Sequence, residues 1–165
     1  MNFEKVFIRA DASKLIGSGH IMRCLTLANE FIKKKIPVSL LFEEDYTKSF
    51  KKFASRKVNF IKINNLKNNN STRKKFNLFE EILNKKSIII INNYNLNFYW
   101  QKKIKKLVYK LIVIDDLANR KYFCDLLVDQ NYKRKVKDYR KLVPNKCKVL
   151  AGAKYVILRD EFLNL

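Results

Sequence analysis

An apolar run from Val6 to Ala10 that gives way to GSGH at Gly17–His20, and then to apolar residues at helical spacing, constrains this chain more than any other stretch. Ile21, Cys24, Leu25, Ala28, Phe31 and Ile32 recur at the period of an amphipathic helix, so the glycines fall at a strand-to-helix turn and His20 opens the helix. Glycine at 17 and 19 lets the backbone turn tightly and another molecule come close, and the free N–H groups of a first helical turn suit an anion or a developing negative charge. A histidine at the positive end of the helix dipole is suited to accept a proton. It is the only histidine in the sequence. Arg9 and Asp11 alternate with Ala10 at the strand's carboxyl end, and Arg23 lies one turn beyond His20, so all three are placed to converge on it. The pattern itself is common among α/β proteins, and a histidine at a helix start also serves as a cap or packing residue.

Strands and helices alternate along the rest of the chain. Val38 to Phe42 reads as a second strand, Asp45 to Ala54 as a helix with Tyr46, Phe50 and Phe53 on one side, and Val58 to Ile63 as a third strand. A polar loop from Asn64 to Ser71 leads to a helix from Thr72 to Lys85 with Phe76, Phe79, Ile82 and Leu83 inward. The β-branched run Ser87 to Ile91 has the character of a central parallel strand and runs into NNYNLN, Asn92 to Asn97, before a helix that reaches about Leu107. Residues just past such a strand end border the crevice of an open α/β sheet, so Tyr94 is a site candidate, against the alternative of an aromatic lid. Lys110 to Ile114 is the next strand and ends in Asp115 and Asp116, which can serve as acid and base or cap a turn and pair with Arg120. Cys124 to Asn131 holds a short strand, Tyr132 to Lys148 is irregular and basic, and Lys148 to Leu158 holds the last strand or two with Gly152 at a turn. The expectation is an α/β, Rossmann-like three-layer domain with a mainly parallel sheet, one domain over residues 1–165.

Hydrophobic residues make up 47% of the sequence, enough for a real core, and the apolar runs are strand-sized, so no membrane span is expected. Glu4 and Lys5 stand where a signal peptide would be apolar, which points to the cytoplasm. Cys24, Cys124 and Cys147 lack the paired spacing of a zinc site and read as reduced, mostly buried thiols. The formal charge of +21 invites a nucleic-acid reading, but the lysines are spread over almost every segment and no nucleic-acid signature is present, so nonspecific polyanion binding at low salt is all it implies.

Three longer blocks carry a resemblance. IRADASKLIGSGHIMRCLTLANEF, from Ile8, IDDLANRKYFCDLLVDQN, from Ile114, and VPNKCKVLAGAKYVILRDEF, from Val143, resemble in order the blocks of the UDP-sugar hydrolases of pseudaminic acid biosynthesis. The resemblance implies the N-terminal domain of a GT-B fold and hydrolysis of UDP-2,4-diacetamido-2,4,6-trideoxy-β-L-altropyranose to UDP and the free sugar, without metal or other cofactor. It places the water-activating base on His20, with Arg9, Asp11, Gly17, Gly19, Arg23, Tyr94 and Asp115 as substrate-binding residues. It also implies a nucleotide-binding C-terminal half outside these residues, supplied by a separate chain or a longer one. Two departures stand out: the family's D-x-Y-G after the fourth strand is Asn92, Asn93, Tyr94, Asn95 here, and residues 1–165 are expected to match the first of the family's two domains alone. A related sugar-nucleotide glycosyltransferase half and a non-catalytic interaction module are the alternatives.

Overall fold

Side chains that alternate along each central strand are sorted onto two buried faces, and this alternation organises the molecule. The computed structural model describes residues 3–12, 17–63 and 72–162; the polar loop expected at 64–71 lies outside the described residues. Among them, β1 (Lys5–Ala10), β2 (Val38–Phe42), β3 (Asn59–Lys62), β4 (Ser87–Asn92), β5 (Lys110–Ile114), β6 (Leu126–Asp129) and β7 (Lys148–Ala151) form one sheet in the order β3-β2-β1-β4-β5-β6-β7. Every neighbouring pair is parallel. Val6, Ile8, Leu40, Ile88 and Ile90 face α1 (Gly19–Lys33) through Ile21, Cys24, Leu25 and Ala28. Phe7, Leu41, Ile89, Ile91 and Leu111 face the other way, against Phe79 of α2 (Thr72–Ile82) and Ile104 of α3 (Phe98–Lys105). The result is the expected Rossmann-like α/β fold of three layers, with a wholly parallel sheet.

The order reverses between β1 and β4, which are registered Lys5 to Ser87 and Ala10 to Asn92. From there the chain winds outward in both directions, so the connections leaving the carboxyl ends of these two strands diverge and leave a crevice.

Two local details depart from the sequence expectation, and a third, the end of α1, is built in an unusual way. The segment after β2 is a 3-10 helix, Asp45–Phe53, in which Tyr46 and Phe53 stand either side of Phe50 in ring contact with it but remain exposed. Its buried residue is Thr47, whose hydroxyl accepts from the Ala12 N–H at 3.0 Å. Thr47, Phe50 and Phe53 are three apart, the spacing that stays on one side of a 3-10 turn, and tethering at Thr47 selects the tighter winding. α2 stops at Ile82 because Asn84 captures the chain: its side chain accepts from the Lys86 N–H at 2.9 Å and from the Ser87 hydroxyl at 3.1 Å. α1 ends in a Schellman arrangement, with Lys35 N–H donating to the Ile32 carbonyl and Ile36 N–H to the Phe31 carbonyl. Lys35 closes it at φ 60, the left-handed conformation usually given to glycine.

No helix among the described residues is long and apolar enough to cross a membrane. The three cysteines are free thiols, with Cys24 and Cys124 buried.

Candidate active site

The crevice at the switch between β1 and β4 gathers most of the polar residues that the sequence singles out. Gly17 turns the chain at φ +78, which an L side chain rarely adopts, and so delivers α1 to the end of β1. Gly19 needs no such conformation; it is the first residue of α1, with open space where a Cβ would stand. The next residue, His20, therefore projects from the first turn of the helix toward the end of β4.

Asn92 ends β4 and is buried beneath His20. His20 Nδ1 lies 2.8 Å from Asn92 Oδ1, and Asn92 Nδ2 donates to the His20 carbonyl at 3.3 Å. Tyr94 meets the imidazole nearly edge-on, with ring centroids 4.8 Å apart and planes at 86°. Its hydroxyl donates to Asp116, and burial together with that carboxylate pushes the phenol well above its ordinary value of 10.0, so it remains a donor. Arg23 lies 3.7 Å from Asp116 and fixes it from the α1 side. The Arg120 guanidinium lies 5.7 Å from the centre of the Tyr94 ring and donates to the Tyr94 carbonyl, so the loop after β4 is held from both ends.

Arg9 departs from the expected convergence on His20, whereas Asp11 shares a cavity with it. Both are buried, paired with each other, and directed toward the chain after β2. Asp11 accepts from the Glu43 N–H at 2.7 Å and the Glu44 N–H at 3.2 Å, while Arg9 reaches Glu43 at 3.0 Å and the Leu41 carbonyl at 3.4 Å. A carboxylate tied down this thoroughly braces the loop after β2, and it also borders the crevice, where the Asn93 amide donates to it at 3.1 Å. Asp115 is likewise buried and accepts from Arg120, from the Tyr122 hydroxyl at 2.8 Å and from the Leu117 N–H at 2.9 Å. Asp116 beside it reaches the crevice instead.

Asp11, His20, Asn92, Asn93, Tyr94 and Asn95 line a cavity of about 80 Å³. That is room for water or one substituent of a sugar, well below the several hundred Å³ of a site that encloses a small ligand alone. Asn93 and Asn95 were not singled out as site residues; the signal was their position within three residues of a strand's carboxyl end, the same signal that marked Asp116. A larger cavity of about 680 Å³ lies between the second half of α1 and residues 53–57, lined by Asn29, Lys33 and Arg159 among others, away from His20. No cluster of three or more His, Cys, Asp or Glu able to hold a metal occurs among the described residues.

No family model matches the chain. Two curated proteins resemble it along almost its whole length. The UDP-2,4-diacetamido-2,4,6-trideoxy-beta-L-altropyranose hydrolase of Campylobacter jejuni is 30% identical over 162 residues, 96% of this chain and 53% of that protein. An uncharacterised protein of Methanocaldococcus jannaschii is 29% identical over 161 residues, 96% of this chain and 31% of its own length. The chain thus spans about half of the first relative and about a third of the second. The resemblance to the UDP-diacetamido-trideoxy-altropyranose hydrolase thus holds along almost the whole of this chain.

Proposed function

We propose that this chain is the sugar-side, water-activating part of a UDP-sugar hydrolase. The observation that carries the reading is the position of His20: a helix-start imidazole braced on Asn92 at the switch between β1 and β4, opening on a small cavity that Asp11, Asn93 and Tyr94 also line. In the proposed reaction His20 takes a proton from water as the water oxygen bonds to the anomeric carbon. The bond from that carbon to the diphosphate oxygen breaks on the opposite face, and UDP leaves with the electron pair. Attack and departure on opposite faces invert the anomeric centre. Asn93, Asn95 and the Tyr94 loop offer amide and backbone groups to a sugar rich in acetamido substituents, and the helix N-terminus faces the developing charge.

The small cavity and the partial coverage of the Campylobacter relative favour a second half, outside these 165 residues, that holds uridine and diphosphate. On this reading residues 1–165 form one domain of GT-B type, acting in the cytoplasm on a pseudaminic acid precursor. Hydrolysis of the UDP-linked diacetamido sugar in ¹⁸O-water tests it, using the chain mixed with the part of the Campylobacter hydrolase that the match leaves uncovered. The expected product is free sugar with ¹⁸O at the anomeric carbon and unlabelled UDP. Label on UDP, or transfer to another acceptor in place of water, contradicts the proposal.

A further inference from the structure

We infer that Asn92 fixes His20 as the tautomer protonated on Nδ1, leaving Nε2 as the nitrogen that accepts a proton. The inference rests on reading His20 as the base and assigns Asn92 as its positioning residue. The side-chain amide of Asn92 is buried, and its orientation follows from its neighbours. One end faces the His20 carbonyl at 3.3 Å and Cys24 Sγ at 3.5 Å, and the other faces His20 Nδ1 at 2.8 Å. A carbonyl oxygen can only accept, so the amide nitrogen must be the end that meets it; turning the amide over would set two oxygens against each other. Oδ1 therefore faces the ring, and the hydrogen of that contact belongs to Nδ1.

Asparagine does this without bringing charge. Burial pushes the Cys24 thiol up to about 12, so the sulfur beside the amide stays protonated and neutral. The carboxylates nearest the ring are engaged elsewhere: Asp11 with Arg9, Asn93 and two backbone N–H groups, Asp116 with the Tyr94 hydroxyl and Arg23. An aspartate in place of Asn92 would orient the ring equally well but would stabilise imidazolium and lose the bond to the His20 carbonyl. Asn92 thus separates orientation of the base from electrostatic support of its protonated form.

The single histidine makes the test direct. In the chain labelled with ¹⁵N-histidine, ring ¹⁵N–¹H correlation spectra at a pH above the titration should show a protonated Nδ1 and an unprotonated Nε2. Asn92→Asp should keep that tautomer and move the titration midpoint upward by roughly one to three pH units, the effect of an adjacent opposite charge. Asn92→Leu, judged folded by circular dichroism, should lose the preference and approach the mixture of a free imidazole. A protonated Nε2 in the parent overturns the inference, as does an unchanged tautomer in folded Asn92→Leu; if that variant does not fold, the parent spectrum and the Asn92→Asp midpoint decide. These readouts do not depend on turnover. A correct tautomer in a chain that fails to support hydrolysis would count against the base and leave the role of Asn92 standing.

Discussion

Replacing His20 by asparagine keeps a polar side chain of moderate size at the start of α1 and removes the base. If His20 activates water, turnover of the two-part enzyme should fall on the order of 10²–10⁴-fold, the usual worth of general-base catalysis, with the melting temperature nearly unchanged. Turnover within a few-fold of the parent would assign His20 to packing. The two glycines beside it should respond differently. Gly17→Ala forces an L residue to φ +78 and should cost about 1–2 kcal/mol in denaturant unfolding, whereas Gly19→Ala meets no atom within 4 Å and should cost much less. Equal losses would mean that the left-handed turn is not what the glycine provides. His20 and Tyr94 were legible in the sequence because each stands at a fixed offset from a periodic segment. The direction in which Arg9 and Asp11 turn was not, because a charged residue at a strand end can face outward to a ligand or back to a neighbouring loop, and periodicity does not distinguish the two. The pairing of Asp115 with Arg120, by contrast, was one of the roles its position offered. The pairing of Asn92 with His20 joins residues 72 apart and leaves no local trace.

At the scale of elements, Lys35 marks a place where the sequence works against its own geometry. The Schellman closure of α1 needs a left-handed residue, and a lysine there bears a strain of about 1–2 kcal/mol that glycine would not. Lys35→Gly should therefore raise stability, by up to about 1 kcal/mol after the extra chain entropy of glycine is charged against it. A lower unfolding midpoint in urea would refute that assignment. The missing glycine did not hide the helix end, since Pro37 lies just beyond. Strands were read well for a related reason: runs such as Ile88 to Ile91 are buried on both faces, and few alternatives accommodate four successive isoleucines. The 3-10 segment at Asp45–Phe53 was read as an ordinary helix because its winding is set by Thr47 gripping Ala12, a tertiary contact invisible to spacing.

For the molecule as a whole, three tyrosines couple stability to alkaline pH. Burial, first, and hydrogen bonds to Asp116, Asp115 and Asp129 raise Tyr94, Tyr122 and Tyr139 above the ordinary 10.0. Each native phenol then holds its proton at a pH where the unfolded chain releases one, so this contribution is fully present below about pH 10 and is lost as pH rises above it. Burial raises the Cys24 thiol from 9.0 in the same sense, so urea unfolding measured from about pH 7 to 11 should show a decline that begins near 9 and steepens near 10, and a flat profile would contradict it. The order of the strands also has a consequence in time. β1 lies between β2 and β4, and its partner residues on β4 follow it by about 82 positions, Lys5 against Ser87. A ribosome adding roughly 5–20 residues per second makes those partners several seconds after β1. During that interval β1 and β2 lack the strand that covers their inner edge, so the nascent half-sheet must wait, open and aggregation-prone, for the isoleucines of β4 to arrive.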